Sequence, residues 1–188
     1  MLELRFHGFG GQGVVTVAEL TGLAGHNAGI WSQTMPYFGP ERSGTPVEAY
    51  ARFSDSRCRS RERIINPDWL IILSEKLLAN PDILRGIKKT TKLLAVSSNE
   101  PAILIKKYPQ LKKITAGLFS LDADIWAKHL GNTLMSNTVI LGALSKLTGV
   151  FGQANAVTAI ENKLAGKNKT IIDLNKQAVH LGYENIHR

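Results

Sequence analysis

The sequence predicts an α/β fold, a mainly parallel sheet with a helical C-terminal part, on three observations. Short apolar runs with period two alternate with segments of period 3.6 along the chain. A glycine-rich turn joins the first strand directly to the first helix, and from Ser136 onward the pattern is helical throughout. At 188 residues the chain fits one domain, 1–188, and can bury a core without covalent staples. No internal repeat or low-complexity linker divides it.

Taken in order, strands are expected at Leu2–His7, Ile30–Thr34, Val47–Phe53, Trp69–Leu73, Leu93–Ser97 and Ile114–Leu118. The first helix, Gly13–Asn27, carries small apolar residues (Val14, Val15, Val17, Ala18, Leu20, Leu23, Ala24) suited to packing on a sheet. Further helices are expected near Glu75–Ala79, Glu100–Tyr108 and Asp122–Leu130, with Asp122 as N-cap. The last three are Ser136–Leu147, Gln153–Leu164 and Thr170–Leu181, broken at Thr148-Gly149 and Gly166-Lys167-Asn168. In the third strand the alternation puts Val47, Ala49, Ala51 and Phe53 on a covered face and Glu48, Tyr50 and Arg52 on the other.

The turn Gly8-Phe9-Gly10-Gly11-Gln12-Gly13 places four glycines in six positions at a helix N-terminus. Its spacing satisfies G-x-G-x-x-G between a strand and a helix, which makes the expected fold Rossmann-like. Without a Cβ, a phosphate or another chain can approach the free N–H groups. A dinucleotide site also needs an acidic residue at the end of the second strand to hold the ribose, and none occurs between Glu19 and Glu41. NAD is therefore disfavoured, and tight strand-to-helix packing explains the glycines equally well.

The net charge is +8, from 23 Lys and Arg against 15 Asp and Glu. Sparse aromatics and the lack of any helix-turn-helix, zinc or RNA-recognition signature argue against nucleic acid. An acidic protein partner, a phosphate-rich small molecule or solubility accounts for the charge better. The one cysteine, Cys58, excludes an internal disulfide and leaves too few thiolates for an iron–sulfur cluster or a Cys-based zinc site. No apolar run approaches the about 18 residues of a membrane-spanning helix, so a cytoplasmic location is expected. Arg57, Arg59, Arg61 and Arg63, two apart, would align as a basic comb if extended, able to grip phosphates or a carboxylate surface, or else to shield a solvated edge strand. His7, alone at a strand end, is read as structural.

The second constellation is Met35-Pro36-Tyr37-Phe38-Gly39-Pro40-Glu41-Arg42-Ser43-Gly44-Thr45-Pro46, which has neither period and reads as a rigid, shaped loop. It should leave the carboxyl end of the second strand, at the same sheet edge as the glycine turn, where ligands gather. Glu41 and Arg42 would reach a partner chain or the turn. The candidate cofactor-binding or subunit-interface residues are therefore Gly8, Gly10, Gly11, Gln12, Gly13, Pro36, Gly39, Glu41, Arg42 and Gly44.

These two segments together resemble the gamma subunit of 2-oxoacid:ferredoxin oxidoreductases, the pyruvate:ferredoxin oxidoreductase family. The likeness continues through Arg52-x-Ser54-Asp55, Asn66-Pro67-Asp68, the stretch from Asn137 to Leu144, and Asn175…Gly182-Tyr183-Glu184, in that order. It departs at Ser43-Gly44-Thr45, where pyruvate-type chains tend to carry Arg-Gly-Ala, so the particular 2-oxoacid stays open. The resemblance implies an enzyme subunit of a coenzyme A-acylating complex that decarboxylates pyruvate or a related 2-oxoacid. In such a complex alpha and beta partners bind thiamine diphosphate and Mg. 4Fe-4S clusters, with a ferredoxin-like delta subunit, pass electrons to ferredoxin or flavodoxin. It implies that this chain binds no cofactor tightly, has no catalytic residue, is inactive alone and helps to form the coenzyme A or active-site environment, with room for homodimer contacts. Two other readings stand beside it: a stand-alone nucleotide-binding domain and a purely structural scaffold.

Overall fold

The computed structural model describes residues 1–37 and 46–188. In those residues six strands form one sheet in the order β2-β3-β1-β4-β5-β6, with β1 Leu2–Phe9, β2 Trp31–Tyr37, β3 Pro46–Ser54, β4 Trp69–Ile72, β5 Lys92–Val96 and β6 Leu118–Leu121. From β1 through β6 the pairings β1–β4, β4–β5 and β5–β6 are parallel, whereas β3 runs antiparallel to both β1 and β2. The helices are α1 Val14–Asn27, α2 Pro101–Lys107, α3 Ala123–His129, α4 Ser136–Leu147, α5 Gln153–Lys163 and α6 Lys169–Glu184.

Period-two alternation divides the core. Leu4 and Phe6 of β1, Trp69 and Ile71 of β4, and Leu94 and Val96 of β5 face one cluster, which is filled by α1 and by α3 to α6. Leu70, Ile72, Leu93 and Ala95 face a second cluster made by the turns Glu75–Ala79 and Pro81–Leu84, by α2, and by Leu111 and Ile114. Both faces of the parallel strands are thus covered, as such sheets require. Asp122 caps α3 by accepting from the Ile125 amide at 3.0 Å.

In the C-terminal half, α4 and α6 cross backbone to backbone. A Cβ on Gly182 would lie 1.7 Å from the Val139 carbonyl oxygen, and one on Gly142 would lie 2.0 Å from that of Val179. Beside this crossing the buried Thr138 hydroxyl donates to Asn175 Oδ1 at 2.7 Å.

Four sequence expectations are corrected. The last strand is Leu118–Leu121, not Ile114–Leu118: Pro109–Lys113 form a 3-10 turn, Gly117 takes φ 153°, and Ile114 is buried from a loop. Glu75–Ala79 is likewise a 3-10 turn. Met35, Pro36 and Tyr37 belong to β2, paired with Tyr50, Ala49 and Glu48, and not to the loop. Proline is tolerated there because β2 is an edge strand, where one row of backbone groups has no partner strand. The second face of β3 is also covered, with Tyr50 and Arg52 buried.

Candidate functional site

The chain leaves β1 through α1 toward β2 on one side, and later enters β4 on the other side of β1. The carboxyl ends of β1 and β4 therefore form a topological switch point, the place where open α/β sheets bind ligands. A cleft of about 500 Å³ opens there, lined by Gly11, Gln12, Gly13 and Thr16 after β1, Leu73 after β4, and Val96 of β5. Its far wall is Asp124 of α3, the Thr133–Leu134 turn, and Ser136, Asn137 and Ile140 of α4.

The glycine turn is closed by two bonds between the same residues. The Gln12 amide donates to the Phe9 carbonyl at 3.1 Å, and Gln12 Oε1 accepts from the Phe9 amide at 2.7 Å. Gly11 has φ 89° with open space around it, and Gly13, the N-cap of α1, has φ 72°. No side chain caps α1, and its first turn carries no acidic residue, so its free amides and positive dipole end face the cleft unneutralised. The amino end of α4 also borders the cleft, but there Ser136 Oγ donates to Asp124 Oδ1 at 2.7 Å, which places a carboxylate before it.

The four glycines do not share one job. A Cβ on Gly8 would meet Val14 Cγ2 at 2.5 Å, and one on Gly13 would meet Asn137 Nδ2 at 2.1 Å, so these two permit packing. Gly11, exposed and uncrowded, is the position that leaves backbone accessible. Gly10 lies in the same turn. Pro36 lies in β2 with its side exposed. Gly39, Glu41, Arg42 and Gly44 lie outside the described residues, but the segment's ends are placed: Pro46 pairs with Phe9, and Tyr37 with Glu48, at the same edge as the glycine turn.

Sequence reasoning missed Thr16, Asp124, Ser136 and Asn137. Asn137 is the telling one, because its Oδ1 is buried without a hydrogen-bond partner while its amide nitrogen packs on Gly13. Its position at the head of the stretch to Leu144 was the one signal that could have found it. Beside the cleft, a hollow of about 260 Å³ shares Gln12, Leu73, Val96 and Asp124 and extends to Glu75. Burial pushes the Glu75 carboxyl up, but hydrogen bonds from Lys107, Ser97 and Asn99 outweigh it and hold the group down at about 2.

The segment of the basic comb pairs with no strand. Residues 55–68 are a loop, not an extended strand; Arg57, Arg59 and Arg61 are exposed, while Arg63 turns back over the Tyr37 ring, 3.5 Å from its centroid. Cys58 lies half-buried in the same loop, and a single thiol cannot supply the four ligands of a cluster. Asp68, in the Asn66-Pro67-Asp68 segment, ties strands and loop together, accepting from the Glu3 amide at 2.8 Å and pairing with Lys88. No helix among the described residues is long and apolar enough to cross a membrane.

A mostly parallel sheet with a glycine turn at its switch point, walled by a C-terminal helical layer, defines the class: the chain belongs to the pyruvate ferredoxin/flavodoxin oxidoreductase family, whose model matches residues 3–185. Within that class it is a gamma subunit. It is 35% identical over 185 residues to the pyruvate synthase subunit PorC of Methanothermobacter marburgensis, covering 98% of this chain and 97% of that protein. It is also 35% identical over 167 residues to the pyruvate/ketoisovalerate oxidoreductases common subunit gamma of Thermococcus litoralis, 89% of each chain. The solved pyruvate oxidoreductase subunit PORC of Thermotoga maritima matches with a TM-score of 0.83 at 29% identity, over 98% of this chain and 96% of that one.

Proposed function

We propose that this gamma chain acts as one domain, 1–188, and is a non-catalytic part of a cytoplasmic complex that oxidatively decarboxylates pyruvate or a related 2-oxoacid to an acyl-CoA. Alpha and beta subunits carry the thiamine diphosphate and Mg, and 4Fe-4S clusters with a ferredoxin-like delta subunit deliver electrons to ferredoxin or flavodoxin. This chain's part is to seat a phosphate-bearing portion of coenzyme A, or the partner backbone that holds it, against the amino end of α1. The observation that carries this is the uncapped start of α1 behind Gly11 and Gly13, with no acidic residue in its first turn, opening on a cleft of about 500 Å³.

The stand-alone nucleotide-binding reading loses ground on topology where the nucleotide is a dinucleotide. In this sheet β3 stands between β1 and β2, so the end of β2 lies two strand spacings, roughly 9.5 Å, from β1. A ribose clamp there would be displaced even if β2 ended in an acid, which its described residues do not. The scaffold reading keeps one specific support, the packing roles of Gly8 and Gly13.

Steady-state kinetics on the assembled complex separates these. Gln12→Ala and Gly11→Ala should raise the KM for coenzyme A by about tenfold, a loss of roughly 1.4 kcal/mol, without changing that for the 2-oxoacid. Unchanged coenzyme A kinetics together with weakened assembly would leave the scaffold reading in place.

A further inference from the structure

The sheet has two edges, and the chain seals one of them. At β6 the C-terminal tail adds a bridge, Ser120 and His187 exchanging both backbone bonds at 3.0 and 2.9 Å. At β2 no such bridge is present among the described residues.

The ladder shows which groups β2 leaves open. Glu3 and His7 of β1 accept from the Asp68 and Leu73 amides on the β4 side, so Leu4 and Phe6 turn their backbone groups to β3. Carried across the register by alternation, Ala49 and Ala51 bond to β1, while Glu48, Tyr50 and Arg52 bond to Tyr37, Met35 and Gln33 of β2. Ser32, Thr34 and Pro36 are therefore the residues whose backbone points out of the sheet. Pro36, with no N–H to offer, stands where that loss breaks no bond to β3.

A long edge strand is a template for pairing unless charge, a bulge or shortness blunts it. β2 runs for 7 residues, Trp31 to Tyr37, without one charged side chain. We propose that β2 is a dimerisation strand, pairing antiparallel with β2 of a second copy of this chain about a two-fold axis through Thr34. With the strands fully overlapped, each Thr34 amide donates to the other copy's Thr34 carbonyl, and each Ser32 amide to the other copy's Pro36 carbonyl. The same register sets Trp31 against Tyr37 at both ends, and Tyr37, 38% exposed, is the side chain this covers.

The helical layer fits the same axis. α1 lies astride β2 and β3, with Gly22 against Thr34 and Gly25 against Phe53. Two copies joined at β2 bring their α1 axes roughly 9 to 10 Å apart, within the usual spacing of packed helices. Antiparallel about Gly22, Glu19 of one copy faces His26 of the other; both are exposed, whereas Ala18 and Gly25 on the opposite flank are buried. Glu19 also holds Lys163 of its own α5 at 3.0 Å. Any strand could use the backbone row, but the aromatic ends and the Glu19–His26 pair fit a second copy.

The test is sedimentation equilibrium of the full chain from about 1 to 100 μM, where a reversible rise from the mass of one chain toward twice that mass is expected. Thr34→Pro deletes the two central donors and no bond to β3, and should weaken the dimer by about tenfold or more. Should that variant misfold by circular dichroism, His26→Glu still decides, because it alters only an exposed side chain. Facing Glu19 with a like charge, it should weaken the dimer about fivefold, and Glu19→Lys/His26→Glu should restore it. A chain that stays monomeric throughout, or a dimer that the charge reversal leaves as tight as before, would overturn the proposal. So would a monomeric chain whose Thr34 amide is protected from exchange only in the assembled complex, since the strand beside β2 would then belong to a different subunit.

Discussion

The two faces of β1 are built on opposite principles. One presents Leu4 and Phe6, both fully buried among the side chains of the helical layer. The other, one residue out of step, presents Arg5 and His7, covered by the loop 55–68 and the turns before Arg85. A helix satisfies its own backbone and can be covered by hydrocarbon, whereas an irregular loop brings carbonyls that need donors. Arg5 supplies them to Ile64, Ile65, Ile83 and Arg85, and Arg52 to Ser60 and Glu62. Over β1 and β3, where a loop covers the sheet, buried arginine is thus the counterpart of buried leucine.

The comparison is broken hardest by Phe6→Ala, which should cost about 3–5 kcal/mol in urea unfolding, because a dry helical face cannot refill the space. A smaller loss there would mean that the face yields. Next comes the pH dependence contributed by His7, held by burial at about 4, below its usual 6.5. The folded ring is neutral while the unfolded one protonates first, so this stability is complete above pH 6.5 and is lost as the pH falls from 6.5 toward 4. The loss should reach about 3 kcal/mol, and His7→Gln should flatten that stretch of the curve.

Arg5→Met should cost about 1–3 kcal/mol for the carbonyls it abandons. The diagnostic is where the damage falls: amide exchange should quicken in 55–68 and 81–85 and leave α4 and α6 unchanged, whereas Phe6→Ala loosens the whole. Gly11→Ala should cost about 1 kcal/mol by calorimetry, because only its φ of 89° opposes a side chain. Gly13→Ala, which must also displace Asn137, should cost more. Smallest of all, replacing Arg57, Arg59 and Arg61 by Gln should move stability by less than about 0.5 kcal/mol each. Any weakening of subunit assembly by these changes should be larger at low salt than at high, and its absence would mark the three as solvated charge.

Where periodicity and burial agree, the sequence foretold the structure. β1, β4 and β5 are flanked by clear turns, β1 alternating and β4 and β5 carrying apolar residues on both faces, and α4 to α6 run as expected. Where an apolar residue is buried from a loop, the signal misled: Ile114 looks like the start of a strand but fills the second cluster after a 3-10 turn. Pro36 looked like a loop residue because nothing local reveals that its strand lies at the sheet edge. The glycine turn was legible as a turn, yet its division into packing and open positions depends on Val14, Leu73 and Asn137, the last two distant in sequence. The same holds for Asp124 and Ser136, polar residues that matter only once the chain has folded back over the sheet.

The glycine crossing of α4 and α6 fixes more than its own neighbourhood. At the crossing itself the two helices meet without a side chain whose rotamer could absorb a displacement, and the Thr138–Asn175 bond ties them beside it, so they shift as one stiff beam or not at all. Ser136 and Asn137, about 7.5 to 9 Å along α4 from Gly142, are the tip of that beam and one lip of the cleft. The opposite lip is the turn after the first strand. The width of the gap between them is therefore set from both ends of the chain at once, and a subunit that grips α6 holds a lever on the mouth of the cleft.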